Sequence, residues 1–259
     1  MGMMTECARA VDIAAPELPP LRIIPRPDCA SFFVRECELV DVRLQKKESE
    51  MDTLNAGAPE GAVMLFNGKD LGNWTTRDGE AAGWKVENGE MHVEAKTGDI
   101  MTKEEMTDFC LHLEFRCPDM PEATGQAKGN SGVFLQGRYE IQVLDSYGWK
   151  VPGMGDCGAI YNQFAPLVNA CKKPMEWQSY DVVFRSTREG ESGPRLTVLH
   201  NGLAILNNVQ LDGVCGAALD EDVFASGPLL LQDHGDLVAY RNIWMVELPA
   251  EGSATYEPH

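Results

Sequence analysis

Apolar and polar residues alternate along three segments of this chain with the two-residue period of a β-strand. In Tyr139-Glu-Ile-Gln-Val143 the apolar set is Tyr139, Ile141 and Val143, and the polar set is Glu140 and Gln142. Phe109 to Arg116 sets Phe109, Leu111, Leu113 and Phe115 against His112, Glu114 and Arg116, while Leu229 to His234 carries Gln232 and His234 on its second face. With Asn130 to Leu135 ahead of it, the 139–143 segment reads as the second strand of a hairpin. The expectation is one antiparallel sheet holding all three segments, with Glu114, Glu140 and Gln232 on a shared face that forms a groove.

The rest of the chain from Ala62 onward reads as more short strands. Trp84 to Glu87, Glu90 to Glu94, Ser179 to Arg185, Arg195 to His200 and Ala239 to Val246 are separated by Asn67-Gly68, Asp78-Gly79, Asn88-Gly89, Asn201-Gly202 and Asp212-Gly213. These dipeptides accept the positive φ of tight turns. Many short strands so punctuated predict an all-β sandwich or barrel. The one helical candidate is the short Lys103-Glu-Glu-Met-Thr107, and no fixed-period repeat suggests a propeller or solenoid. The Gly-, Pro- and Met-rich stretches 118–129 and 146–157 flank the hairpin and are placed at the lip of the groove.

Residues 1–58 have a different character. Five prolines between Pro16 and Pro27 break up the first half, the segment from Ser31 to Leu44 fits a strand or a short helix, and Gln45 to Glu50 is a charged run. The boundaries are therefore an N-terminal extension over 1–58, a sandwich over 59–250 and a tail over 251–259. Deleting 1–58 is expected to leave the melting temperature nearly unchanged.

Charge narrows the partners. With 22 Lys and Arg among 40 Asp and Glu, the net charge of −18 argues against nucleic acid, whose phosphates demand a basic surface. No run approaches the roughly 18 apolar residues of a membrane-spanning helix, which argues against insertion. The first thirty residues lack the order of a signal peptide, so the chain as written is expected in the cytoplasm. Eight cysteines form no C-x-x-C pair, which disfavours structural zinc and suggests reduced, semi-buried thiols. Leu219-Asp-Glu-Asp-Val223 lacks the spacing of a Ca²⁺ loop and reads as an exposed acidic turn, so no cofactor is expected.

The polar face offers amide, carboxylate, guanidinium and imidazole groups, an inventory suited to a sugar with many hydroxyls and little charge. Glu140 is the candidate general base, because a desolvated carboxylate has its pKa raised toward neutrality; a solvated strand-face glutamate is the alternative. Its neighbour Gln142 is an amide, so no pair of carboxylates at alternate positions is present locally. Glu140 and Asp145 fall on opposite faces of a regular strand. His234 is a proton shuttle or a strand-end structural histidine. Arg116 and Arg241 are the candidate cations, with a structural pairing to Glu114 or Glu140 favoured for Arg116. Asn130, Tyr161 and Gln232 suit sugar hydroxyls, Trp149 and Trp177 suit ring stacking, and Trp74, Trp84 and Trp244 suit core packing. His112 is assigned a structural role.

From about Glu60 to Pro249 the chain resembles the bacterial 3-keto-disaccharide hydrolase family, also described as 3-keto-α-glucoside-1,2-lyase and 3-keto-2-hydroxy-glucal hydratase. The landmarks are Leu65-Phe-Asn-Gly-Lys-Asp-Leu71 with Trp74, Trp84 to Gly89, Asn130-Ser-Gly132, Tyr139 to Asp145, Gly158-Ala-Ile-Tyr161, Glu176-Trp177, Asn201-Gly202, Leu231 to Gly235 and Arg241-Asn-Ile243. The resemblance implies a concanavalin-A-like jelly roll acting on 3-keto-glycosides. The implied reaction is C2-proton abstraction, elimination and hydration, with Glu140 as base, His234 on the leaving oxygen or the enolate, and Arg241 supporting the oxyanion. Asn130, Gln142, Asp145, Tyr161, Trp177, Gln232 and Arg116 would contact the sugar. Because the resemblance begins near Glu60, the extension reads as a tail, or as an over-extended start with Met51 as initiator. A non-catalytic carbohydrate-binding module is the competing expectation, and a domain whose polar face is merely solvated is a third.

Overall fold

The computed structural model describes residues 52–251. The Ser31–Leu44 segment, Met51 and the C-terminal stretch from 252 lie outside the described residues. Thirteen strands form: β1 (Val63–Phe66), β2 (Trp74–Thr76), β3 (Lys85–Glu87), β4 (Glu90–His92), β5 (Ile100–Met106), β6 (Phe109–Arg116), β7 (Ser131–Leu135), β8 (Tyr139–Val143), β9 (Gln178–Arg185), β10 (Arg195–His200), β11 (Leu203–Gln210), β12 (Gly227–Leu231) and β13 (Ala239–Glu247). A 3₁₀ turn at Gly125–Ala127 is the one helical element among the described residues.

The strands make two antiparallel sheets. One has five strands in the order β2-β5-β12-β7-β8; the other has eight, in the order β11-β10-β9-β6-β13-β4-β3, with β1 also paired to β13. Their inner faces meet in one core. Ile100, Val133, Leu135, Tyr139, Ile141, Val143, Leu229 and Leu231 come from the first sheet, and Phe109, Leu111, Leu113, Phe115, Tyr180, Val182, Phe184 and Tyr240 from the second. The alternation seen in the sequence thus resolves as apolar residues inward and polar residues outward. This is the expected concanavalin-like sandwich.

The turn chemistry works as the dipeptides predict. At Asn88-Gly89, between β3 and β4, and Asn201-Gly202, between β10 and β11, both residues have positive φ, as a two-residue hairpin turn requires. Gln136 and Gly137 also take positive φ, 51° and 66°, within the three-residue loop 136–138 between β7 and β8.

Three expectations need correction. Lys103 to Met106 is not helical but lies in β5, where Thr102 and Met106 are buried and Lys103 and Glu105 point outward. Pairing to β2 and β12 decides the matter, since five residues are too few to nucleate a helix alone. The three alternating segments do not share a sheet: β8 and β12 belong to the five-stranded one and β6 to the other. Finally, the end of the N-terminal extension is tied to the sandwich. Thr53 Oγ1 donates to Asp181, the Asn55 N–H to Glu114, and the Ala56 carbonyl accepts from Asn242 and Trp244. A deletion of residues 1–58 would break these bonds.

Candidate functional site

Register places the groups on the outer face of the five-stranded sheet in two rows. Thr75 opposes Met101, which opposes Leu230, then Phe134, then Glu140. In the next row Gln142 opposes Gly132, and the N–H of Gln232 donates to the Gly132 carbonyl at 3.0 Å. Asp99 extends this row just before β5, receiving the Asp233 N–H at 2.8 Å and pairing with Arg77 at 2.7 Å.

Glu140 is the unusual group here. It is 4% exposed, flanked by fully buried Phe134, and among the described residues nothing donates a hydrogen bond to its carboxylate. Burial, aided by the negative charge of Asp99, pushes its pKa up to about 7. Space for the carboxylate exists because residue 132 is glycine: a Cβ there would lie 2.5 Å from Glu140 Oε1 and 2.8 Å from the Phe134 ring. The strand is held by the Cys215 thiol, which accepts from the Glu140 N–H at 3.3 Å, and by the Tyr161 N–H, which donates to the Glu140 carbonyl at 3.1 Å.

Around this carboxylate lies an amide network at the end of the sheet. Gln142 Nε2 donates to Gln126 Oε1 at 3.1 Å and lies 3.4 Å from the Gly155 carbonyl. Gln126 Nε2 donates to the same carbonyl at 2.7 Å, and Asn130 Nδ2 donates to the Gln126 carbonyl at 2.7 Å. The 118–129 and 146–157 stretches therefore do border the Glu140 face, joined through Gln126. Tyr161 is half-buried, with its ring against Gly155. Asp145 uses its carboxylate as a loop brace, on Lys128 at 2.9 Å and the Tyr147 N–H at 3.1 Å. His234 lies in the loop after β12 and is exposed.

Arg241, Arg116 and Trp177 do not join this face. Arg241 lies on β13 beside Glu114 of β6, on the outer face of the eight-stranded sheet, with the whole core between it and Glu140. Its Nε pairs with Glu114 at 2.6 Å. A bulge in β13, with Asn242 at φ 47°, turns Arg241 and Asn242 together onto that carboxylate. Trp177 instead packs against two cations, the Arg241 and Arg116 guanidiniums lying 4.1 and 4.8 Å from its ring centre. Arg116 does have a structural ion pair, but with Glu90 at 2.8 Å. Trp244 is not in the core: it faces outward and stacks on His112 at 5.0 Å. Trp74 and Trp84 are buried as expected.

The second face carries a charge network, beside a cavity of about 610 Å³ lined in part by Asn55, Arg241 and Asn242. His112 is 1% exposed, and its Nδ1 lies 2.7 Å from Asp181. Burial opposes its charge, yet bonds to Asp181 and Glu114 outweigh that cost and hold its pKa at about 9. Glu114 is likewise disfavoured by burial, but His112, Asn242, Arg241 and the Asn55 N–H together lower it to about 2. These groups satisfy one another, which accounts for the structural role assigned to His112.

No metal centre emerges among the described residues, where no group of three or more His, Cys, Asp or Glu could hold an ion. In the acidic turn, Asp220 forks onto Arg138 at 2.6 and 3.0 Å. Cys110, Cys117, Cys157, Cys171 and Cys215 are free thiols. Four residues of the Glu140 face escaped the sequence reading: Gly132, Gln126, Asp99 and Arg77. A glycine inside a strand is a recognised sign of close approach, so Gly132 had a signal; the other three had none.

Two packed antiparallel sheets with this polar outer face make a glycosyl-hydrolase-like, carbohydrate-active β-sandwich. The chain belongs to the 3-keto-alpha-glucoside-1,2-lyase-like domain family, whose profile matches residues 61–246. A solved "putative glycosyl hydrolase" from Parabacteroides distasonis is 40% identical, with a TM-score of 0.67, over 74% of this chain and 85% of that one. Another structure of the same description and organism is 22% identical with a TM-score of 0.53, over 79% of this chain and 97% of that one, and supports the fold alone. A search of curated proteins finds no match.

Proposed function

We propose that this protein cleaves 3-keto-glycosides by elimination and hydration, with Glu140 as the base. The observation that carries the reading is the Glu140 carboxyl itself: buried, without a hydrogen-bond donor among the described residues, and titrating near neutrality. A base is most useful when its pKa lies near the working pH. A carbonyl at C3 acidifies the C2 hydrogen. Glu140 takes that proton, the electron pair passes into the C3 enolate, and its return expels the C1 substituent, which leaves with a proton. Water then adds at C1 and a proton returns to C2, giving net hydrolysis. In this reading exposed His234, in the loop after β12, delivers the proton to the leaving oxygen. Asn130, Gln142, Gln232 and Tyr161 contact sugar hydroxyls.

The carboxylate count also favours elimination over double displacement. Two-carboxylate glycosidases hold their pair roughly 5–10 Å apart. Asp99 acts on Glu140 through its charge, but its own carboxylate is already engaged, paired with Arg77 at 2.7 Å and accepting the Asp233 N–H at 2.8 Å. Glu114 is on the far side of the sandwich. The test is turnover by Glu140→Gln, which keeps the shape and loses the base. The variant should fold normally and release no 3-keto-glucose from 3-keto-trehalose or 3-keto-sucrose. Wild-type rates in the variant would overturn the assignment. A protein that binds sugars but turns over no 3-keto-glycoside would instead be a binding module.

A further inference from the structure

The Gln142 side chain is held in one orientation by its surroundings. Its amide end meets two groups, Gln126 Oε1 and the Gly155 carbonyl, and a carbonyl oxygen can only accept. Gln126 is fixed in turn, because its own NH₂ donates to Gly155 at 2.7 Å and its Oε1 lies 3.3 Å from Asn130 Nδ2. The end of Gln142 turned toward these acceptors must therefore be the NH₂. What remains is Gln142 Oε1, a buried acceptor with no partner among the described residues, in a side chain 1% exposed. An acceptor so buried costs stability unless a donor reaches it.

Gln142 shares the outer face with Glu140 two residues away and opposes Gly132, the same glycine whose missing side chain makes room for the Glu140 carboxylate. The unsatisfied oxygen thus belongs to a side chain neighbouring the carboxylate that the proposed reaction uses. Gln232 Oε1, across Gly132, is likewise buried and without a partner.

We infer that Gln142 is an obligate acceptor for a ring hydroxyl of the substrate, and that Gln126 is a positioning residue that keeps the Gln142 oxygen turned toward it. The inference rests on the reading of this face as a sugar site. It adds an orientation: a ketone oxygen has no hydrogen to donate and would face an oxygen with lone pairs, so the C3 carbonyl points away from Gln142 and an unoxidised hydroxyl points toward it. The network selects a donor, and so discriminates between a hydroxyl and any acceptor-only replacement at the same carbon.

The experiment measures binding by calorimetry in the Glu140→Gln chain, so that no turnover intervenes. The ligands are methyl 3-keto-α-glucoside and its analogues with the 2-, 4- or 6-hydroxyl replaced by fluorine or hydrogen. One position should lose about tenfold in affinity with either replacement, the scale of one hydrogen bond to a buried acceptor. Adding Gln142→Leu should erase that difference. Adding Gln126→Leu, which frees the amide to turn, should restore the fluoro ligand specifically, an effect that general loosening of the loop would not produce. Circular dichroism and melting check that each variant is folded.

Equal affinities for the hydroxyl and fluoro ligands at every position would overturn the inference, as would a penalty that survives Gln142→Leu. If methyl α-glucoside shows the same dependence while the keto sugar does not bind, the acceptor assignment stands and the 3-keto reading falls. If no sugar binds, both fall.

Discussion

Replacing Glu140 with Gln should remove a pH-dependent loss of stability that the carboxyl imposes on the protein as the pH climbs toward neutrality. The carboxyl titrates at about 7 in the fold against an ordinary value of 4.5. Because the folded pKa is raised, the folded state holds the proton more tightly than the unfolded chain between these values. Wild-type stability therefore falls as pH climbs from about 4.5 to about 7, and the full deficit persists above. The difference of roughly 2.5 units corresponds to about 3 kcal/mol. For a domain of this size that is roughly 6–12 °C in melting temperature. Gln carries no such titration. The new amide has its own pH-independent cost or gain, so the test is the slope and not the offset. Urea unfolding of both chains between pH 4 and 8 gives the free-energy difference directly. The variant's relative stability should rise by about 3 kcal/mol across pH 4.5–7 and then level off. A flat difference would refute the argument that Glu140 is desolvated.

Three further outcomes follow from the same geometry. Gly132→Ala would put a Cβ 2.5 Å from Glu140 Oε1, so it should cost about 1–3 kcal/mol and most of the turnover, measured by unfolding and by release of 3-keto-glucose. His112→Gln should show the reverse window to Glu140→Gln. The stability from His112 is complete below pH 6.5 and lost as pH rises through about 9, so the variant's deficit, up to about 3 kcal/mol, should shrink over pH 6.5–9 in an unfolding series carried up to pH 10. A chain starting at Pro59 should melt several degrees below one starting at Asp52, because it strips Thr53 from Asp181 and the Asn55 N–H from Glu114, at about 1 kcal/mol or more for each bond to a charged group.

Period-two alternation made the strands legible, since Phe109–Arg116 and Arg195–His200 form over the very residues that alternate. Asn88-Gly89 and Asn201-Gly202 were legible for the same local reason: their backbone conformation is a property of the dipeptide. Which sheet a strand joins is not local. β6 and β8 carry the same alternation but turn their polar faces away from each other across the core, so Glu114 and Glu140 look alike in sequence and end on opposite sides of the molecule. Arg241-Asn-Ile243 shows the same limit, because its bulge clamps Glu114 and the 52–57 segment rather than a ligand. Lys103 to Met106 was ambiguous because only pairing to β2 and β12 distinguishes the end of a strand from a turn of helix. Gln126 could not be found at all: its importance lies in contacts to Asn130, Gln142 and Gly155, which no spacing encodes.

The central claim is that a single buried carboxylate removes the C2 proton of a 3-keto sugar. Running the wild-type protein on 3-keto-trehalose in deuterium oxide, and reading C2 of the released 3-keto-glucose by NMR at early times against an enzyme-free control, tests it most directly. Deuterium should appear at C2, formed at the rate of cleavage and absent with Glu140→Gln, while unoxidised trehalose stays intact. Product that keeps its original hydrogen at C2, or efficient cleavage of unoxidised trehalose, would contradict it.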